Sequence, residues 1–358
     1  MFDRVYNFSA GPSVMPEEAL LRAQKEMLNY GNSGMSVMEM SHRSPVFAEI
    51  FESTRQKLRE ILSVPDTHEI LFLQGGATLQ FAAIPMNLSR GETADYAVTW
   101  NFANKAAKEA EKYCRVHLAA STVPAHDRIP AQAELDLSPE ASYFYYCANN
   151  TIYGTEWHYV PETASPLVCD MSSDILSRPV DVSHYGLIYA GAQKNMAPAG
   201  LTVVIVKKDL AGQELPVTPL VMSYQEMIKA GSMLNTPPCW CIYMLGLTLD
   251  WLQSVGGVKG MEQIKKERAR KVYEMLDNST FYKPHAQRDS RSDMNVTFRT
   301  ESAELDAAFV REAAQHGLCN LKGHKIAGGM RASLYNAMPM EGVDALVSFM
   351  KEFERNHV

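Results

Sequence analysis

Ile188-Tyr-Ala-Gly-Ala-Gln-Lys194-Asn-Met-Ala-Pro-Ala-Gly200, running directly into Leu201-Thr-Val-Val-Ile-Val206, is the stretch on which the fold turns. Lysine ordinarily belongs on solvated surface. Lys194 instead sits among small residues, with strand-like apolar segments on both sides. The arrangement brings a backbone and one amine close to a flat object. It suits a lysine that forms a Schiff base with a carbonyl cofactor.

Outward from this segment, apolar runs alternate with helical periodicity. Strands are expected over 69–73, 95–99, 116–119, 143–147, 167–170, 187–190 and 201–206. Helices are expected over 16–30, from Ser44-Pro45 to about Leu62, from Thr78 to Asn87, and from Phe102 onward. Such alternation implies an α/β domain with a mainly parallel sheet. After Gly257 the texture changes. Helices over 261–276, 303–316 and 342–354 interleave with strands over 294–298 and 330–334, the order of a smaller α+β domain. The boundary falls in the helical stretch 237–276. The expected division is 16–257 for the large domain, and 1–15 with 258–358 for the small one.

The 358 residues suit roughly two domains on length alone. A hydrophobic fraction of 46% can fill a sizeable core. A formal charge of -7 and a pI near 5.8 argue against a general nucleic-acid binder. No apolar stretch reaches the ~18 residues that span a bilayer. The N-terminus lacks a basic region followed by an apolar one, so no secretory signal is read there. The six cysteines are scattered without a C-x-x-C pair, which fits a reduced, cytoplasmic setting. Cys239-Trp-Cys241 has no Cys/His partner pair at zinc spacing, so no metal is expected.

Several short segments bear on Lys194. Asp170 ends the apolar run Leu167-Val-Cys. A carboxylate at a strand's C-terminal end can enter the ligand crevice of an open α/β sheet. Paired with a pyridine nitrogen, it would keep that nitrogen protonated. Alone, an aspartate before Ser172-Ser-Asp reads as a turn or cap. Gly75-Gly-Ala-Thr78 lies between a strand and a helix, where free N–H groups meet phosphate. It is neither G-x-G-x-x-G nor a Gly-Lys-Ser/Thr loop, and alone reads as a turn. Tyr96-Ala-Val-Thr-Trp100-Asn-Phe102 offers rings for stacking, or for the core. Ser41-His42-Arg43-Ser44 and Gly323-His324-Lys325-Ile-Ala-Gly-Gly-Met-Arg331 place cations near turns and glycines, suited to carboxylate or phosphate.

Together these segments resemble the phosphoserine aminotransferase family, in class V of the fold-type I transferases dependent on pyridoxal 5'-phosphate (PLP). The likeness runs through Asn7-Phe-Ser-Ala-Gly-Pro12, Gly34-Met-Ser-Val-Met-Glu-Met-Ser-His-Arg43 and Gly75-Gly-Ala-Thr-Leu-Gln-Phe81. It continues in Asp170-Met-Ser-Ser, Gly191-Ala-Gln-Lys194-Asn, Gly231-Ser-Met-Leu-Asn-Thr-Pro-Pro238 and Gly323-His-Lys-Ile-Ala-Gly-Gly-Met-Arg-Ala-Ser333. The resemblance implies that Lys194 binds PLP covalently and moves the Cα proton. Asp170 would pair with the ring nitrogen. Ala77, Thr78 and Gln193 would hold the cofactor phosphate, and Thr151 the ring oxygen. Asn235 and Thr236 would reach the phosphate of a partner subunit, making the active unit a homodimer with shared sites. Arg331 would clamp the substrate α-carboxylate. His42 and Arg43 of the partner would join His324 and Lys325 around the distal anion. The implied reaction is reversible amino transfer between L-glutamate and 3-phosphohydroxypyruvate, giving O-phospho-L-serine and 2-oxoglutarate. A phosphorylated hydroxythreonine of PLP synthesis is a second candidate product.

Three positions depart from the family's commonest pattern. Phe102 aligns with the ring-stacking position, often tryptophan, while Trp100 stands two residues earlier. Lys325 replaces an arginine, keeping charge but losing the planar fork. Ala10 replaces a serine, removing a donor. Two rival readings are a cysteine desulfurase and a non-catalytic PLP-binding protein. The first needs a nucleophilic cysteine in a small-residue loop, whereas Cys319 lies in Gly-Leu-Cys-Asn-Leu-Lys. The second has no need of the His-Arg and His-Lys…Arg sets.

Overall fold

In the computed structural model, which describes residues 4–357, the expected strands form one seven-stranded sheet. They are β1 His68–Leu73, β2 Thr93–Val98, β3 Arg115–Ser121, β4 Phe144–Cys147, β5 Leu167–Asp170, β6 Tyr185–Gly191 and β7 Thr202–Lys207. Their spatial order is β1-β7-β6-β5-β4-β2-β3. The β2–β3, β2–β4, β4–β5 and β5–β6 pairs are parallel. β7 runs antiparallel to both neighbours, β1 and β6. Chain length explains the reversal. Only residues 192–201 join β6 to β7, and a parallel neighbour needs a crossover of about a dozen residues or more. The chain therefore turns back, with the Ala192 N–H donating to the Leu201 carbonyl at 3.0 Å. The lysine segment is this turn.

The sheet is buried on both faces. Val203 and Ile205 of β7 join one core while Val204 and Val206 join the other. In β6 the same alternation sends Ile188 and Ala190 one way, Leu187 and Tyr189 the other. Helices cover both faces, as a largely parallel sheet requires. The main helices are α1 Glu17–Glu26, α2 Pro45–Ile61, α3 Gly76–Leu88, α4 Asn101–Ala110, α5 Cys239–Ser254, α6 Gly257–Asp277, α7 Ala303–Gln315 and α8 Met340–His357. α5 is buried almost all round, which its continuous apolar sequence demands.

A third core gathers Phe8, Val272, Phe298, Phe309, Met330, Leu346 and Phe349. It covers a three-stranded antiparallel sheet of Lys283–Pro284, Asn295–Arg299 and Met330–Ser333, in that spatial order. Tyr6–Asn7 pairs in parallel with Leu318–Cys319, so the N-terminal segment joins the C-terminal elements. α1 stops at Glu26, short of Tyr30, because a turn follows. The Asn29 side chain accepts from the Gly34 N–H at 2.8 Å, and Gly31, Asn32 and Gly34 take left-handed backbone angles. No helix among the described residues is long and apolar enough to cross a membrane.

One buried ion pair ties α6 to the hairpin that follows β4. Lys265 Nζ lies 2.9 Å from Glu156 Oε1, and both residues are 1% exposed. Burial opposes charge on Glu156, but Lys265, His158 and Arg178 outweigh it and hold the carboxyl below its usual range. Removing one member of such a pair leaves a buried charge without its nearest partner. Lys265→Met is expected to cost about 3–5 kcal/mol in equilibrium denaturation, and Lys265→Met with Glu156→Leu much less.

Candidate active site

Because β1 points the same way as β2 to β6, with only β7 reversed, the C-terminal ends of these six strands share one edge of the sheet. Ligands of open α/β sheets bind in the crevice at that edge. Gly75–Thr78 follows β1, Trp100–Phe102 follows β2, Asn149–Thr151 follows β4, Asp170 ends β5 and Lys194 follows β6. The topology thus brings to one edge the segments that the sequence scatters over more than a hundred positions.

Lys194 is half-buried, and its Nζ donates to Thr151 Oγ1 at 3.1 Å. Thr151 is buried, and its carbonyl accepts from an Arg331 guanidinium nitrogen at 3.3 Å. One threonine therefore joins the lysine of the large sheet to the arginine of the small one. The lysine loop is tied down on several sides. The Ser13 N–H donates to the Gln193 carbonyl at 2.9 Å, and the Ser13 hydroxyl to the Lys194 carbonyl. Asn195 donates to the Ile175 carbonyl at 2.8 Å and accepts from the Asn336 N–H at 3.0 Å. Gly11, at φ +138°, passes over the lysine stem, where an added Cβ would lie 3.4 Å from Lys194 Cγ.

Asp170 is 7% exposed. Its Oδ1 accepts from the Ser172 N–H at 2.8 Å, so the turn role read from sequence is real. Its Oδ2 accepts from the Tyr189 hydroxyl at 3.0 Å. α3 opens at Gly75, φ +94°, with no side-chain cap on its first-turn N–H groups. Ala77 is half-buried there and Thr78 exposed. Trp100 is a core residue, whereas Phe102 is half-buried, its ring 4.7 Å from the Trp100 ring. Gln193 is half-buried and folds its amide against the bare Gly191.

Arg331 lies on the strand Met330–Ser333, where burial lowers its pKa. Its Nε is buried and has no partner among the described residues. Half-buried His324 has its pKa lowered by burial first, then by the charges of Arg331, Lys325 and Lys105. Lys105 is a member of this set that sequence reading missed. It stands on α4 with its Nζ 5.3 Å from the Phe102 ring, one helical turn after it, which is the only signal the sequence offered. Asn235 and Thr236 are exposed, and Asn235 donates to Gln74, beside the Gly75 loop, at 2.7 Å. Within one chain His42 and Arg43 are not drawn in. They occupy the turn before α2, and neither side chain forms a hydrogen bond or ion pair among the described residues.

The donor set fits a flat phosphorylated aldehyde. An amine, a carboxylate and uncapped helix N–H groups stand at one edge of the sheet, and the Arg331 guanidinium, whose Nε has no partner among the described residues, reaches Thr151 there. Asn195 fixes the lysine loop through groups that are themselves buried. Asn195→Ala leaves the Asn336 N–H and Ile175 carbonyl unanswered, and is expected to cost about 1–3 kcal/mol in urea denaturation.

The family described as Aminotransferase class-V matches residues 5–346. A phosphoserine aminotransferase of Laribacter hongkongensis is 51% identical over 99% of this chain and 99% of its own length. The structure of a phosphoserine aminotransferase from Bacillus circulans subsp. alkalophilus superposes with a TM-score of 0.97, at 44% identity and full coverage of both chains. That of a PLP-bound phosphoserine aminotransferase from Trichomonas vaginalis gives 0.94 at 42% identity, covering 97% of this chain and 100% of its own. With the lysine, the carboxylate and the strand-edge crevice in place, the chain belongs to the class V aminotransferases and, among them, to the PLP-dependent phosphoserine aminotransferase family.

Proposed function

We propose that the crevice catalyses reversible amino transfer between L-glutamate and 3-phosphohydroxypyruvate, the reaction that forms O-phospho-L-serine for serine synthesis. The observation that carries it is Thr151, which accepts Lys194 on its side chain and Arg331 on its carbonyl. The amine for the cofactor and the cation for the substrate are thereby held at one point. A desulfurase would need a mobile cysteine nucleophile, and Cys319 instead belongs to the paired segment Leu318–Cys319.

When bound, PLP supplies an electron sink that lets an amino acid release its Cα proton. Lys194 would anchor the cofactor, then act as the base that takes and returns that proton. Asp170 would keep a proton on the ring nitrogen. Thr78, the Ala77 backbone and Gln193 would hold the phosphate at the α3 N-terminus. Thr151 would steady the ring oxygen, and Phe102, with Trp100 behind it, would cover the ring. Arg331 would orient the α-carboxylate, its unpartnered Nε gaining an acceptor. His324 and Lys325 would receive the distal phosphate or carboxylate, with Lys105 adding charge. His42 and Arg43 would complete that pocket from a second subunit, and Asn235 and Thr236 would do so for the cofactor phosphate. Both substrates carry an anionic end, so one cationic pocket serves both halves of a ping-pong cycle.

The wider reading has residues 16–257 as the cofactor-binding domain and 1–15 with 258–358 as the small domain, in a cytoplasmic homodimer. The phosphorylated hydroxythreonine of PLP synthesis shares the substrate's charge pattern and is a second product the pocket would accept.

Purified protein should show a visible absorbance band that bleaches on addition of glutamate, and Lys194→Ala should lose both band and turnover. Failure of glutamate to act while cysteine yields sulfide contradicts the proposal. If sites are shared, Lys194→Ala and Arg43→Ala subunits should complement on mixing, restoring about a quarter of wild-type activity by statistics. No recovery in mixed dimers places both residues in one subunit's site. An anion beside His324 should raise its pKa from the lowered value of the open site. Phosphoserine affinity is then strongest below the open-site pKa and falls as pH rises through that of the complex. The His324→Asn variant should lack this component in its pH profile of KM.

A further inference from the structure

We infer that Tyr189 is the positioning residue for the Asp170 carboxylate, and that through Asp170 it sets how firmly the cofactor is held. The inference rests on Asp170 facing the ring nitrogen, as proposed above.

The geometry is a buried relay. Tyr189 stands on β6 directly opposite Asp170 on β5. Its hydroxyl lies 3.0 Å from Asp170 Oδ2 and 2.8 Å from the Tyr145 hydroxyl. The Tyr145 hydroxyl is 3.6 Å from Cys147 Sγ, and that thiol is 4.0 Å from the same carboxylate oxygen. All four residues are buried. A carboxylate can only accept here, so Tyr189 must spend its single proton on Asp170, and Tyr145 must spend its own on Tyr189. The relay has one consistent direction, from Tyr145 through Tyr189 to Asp170. Burial pushes both phenols and the Cys147 thiol well up, so they remain neutral donors.

The consequence concerns the plane of the carboxylate. The Ser172 N–H holds Oδ1 at 2.8 Å while Tyr189 holds Oδ2, so neither oxygen can rotate away. A phenylalanine at position 189 fills nearly the same space. It would leave Oδ2 with only the more distant Cys147 thiol, at 4.0 Å, and hold the carboxylate less firmly in orientation each time the ring binds.

Three variants decide the matter, read by PLP dissociation from the holoenzyme, with kcat and KM for glutamate alongside. A lost hydrogen bond to a charged group corresponds to a change on the order of tenfold. Tyr189→Phe is expected to weaken PLP binding by about tenfold and lower kcat, with KM less altered. Tyr145→Phe, which removes the outer link, should act in the same direction and more weakly. In an Asp170→Ala background, where no carboxylate remains to be held, Tyr189→Phe should change PLP binding less than twofold or so. A Tyr189→Phe protein that holds PLP as the wild type does, while Asp170→Ala is impaired, overturns the inference and leaves the site reading intact. An equal effect of Tyr189→Phe with and without Asp170 also overturns it, by showing that the tyrosine acts through packing. Wild-type PLP binding in Asp170→Ala overturns the site reading itself. Should Tyr189→Phe fail to fold, Tyr145→Phe with and without Asp170 gives the same decision.

Discussion

Thr151 is the point on which the arrangement depends. Its hydroxyl fixes the Lys194 amine and its carbonyl fixes Arg331, two groups from separate sheets. Around it runs a buried polar seam. Asn149 donates to Asn295 at 2.7 Å, Asn295 to Ser333 at 3.0 Å, and Tyr335 to the Ala10 carbonyl at 2.9 Å. Buried polar groups of this kind are costly unless each finds a partner. Their mutual satisfaction ties the strand-end loops to the three-stranded sheet. The seam therefore converts a general fold into a fixed placement of the Lys194 amine relative to the Arg331 guanidinium.

The large sheet delivers the other half of the site with little extra cost. Parallel strands send their C-terminal ends to one edge, so a carboxylate, a glycine turn and a lysine need only occupy the last positions of their strands or the first of the loops beyond. The antiparallel β7 belongs to the same logic. A connection too short for a crossover makes the lysine segment a tight turn, pinned by Ser13, Asn195 and the pair across Ala192 and Leu201. Rigidity at the Lys194 amine is what the proposed site, which would return one proton to one carbon, requires.

Much of this was legible in the sequence, for identifiable reasons. Strand 201–206 and the small residues before it are local signals, so the lysine turn could be read directly. Asp170 at the end of Leu167–Asp170 and the glycine turn after β1 were likewise local. What escaped depends on register and packing. Tyr189 looked like one more apolar strand residue, because its partnership with Asp170 exists only once β5 and β6 are aligned. Trp100 and Phe102 lie two positions apart, and only packing separates the core ring from the half-buried one. Helix α1 ends before its helical pattern does, because the turn of Asn29 and Gly34 competes with that pattern.

On the proposed function, one lysine, at the turn between β6 and β7, would hold the cofactor and yield it to the amino donor. Borohydride reduction of the purified holoenzyme, followed by peptide mass spectrometry, tests this at the level of a single atom. A reduced cofactor adduct is expected on Lys194 alone, and it should be lost when excess glutamate is added before reduction. An adduct on another lysine, or one on Lys194 that glutamate leaves undiminished, would contradict it.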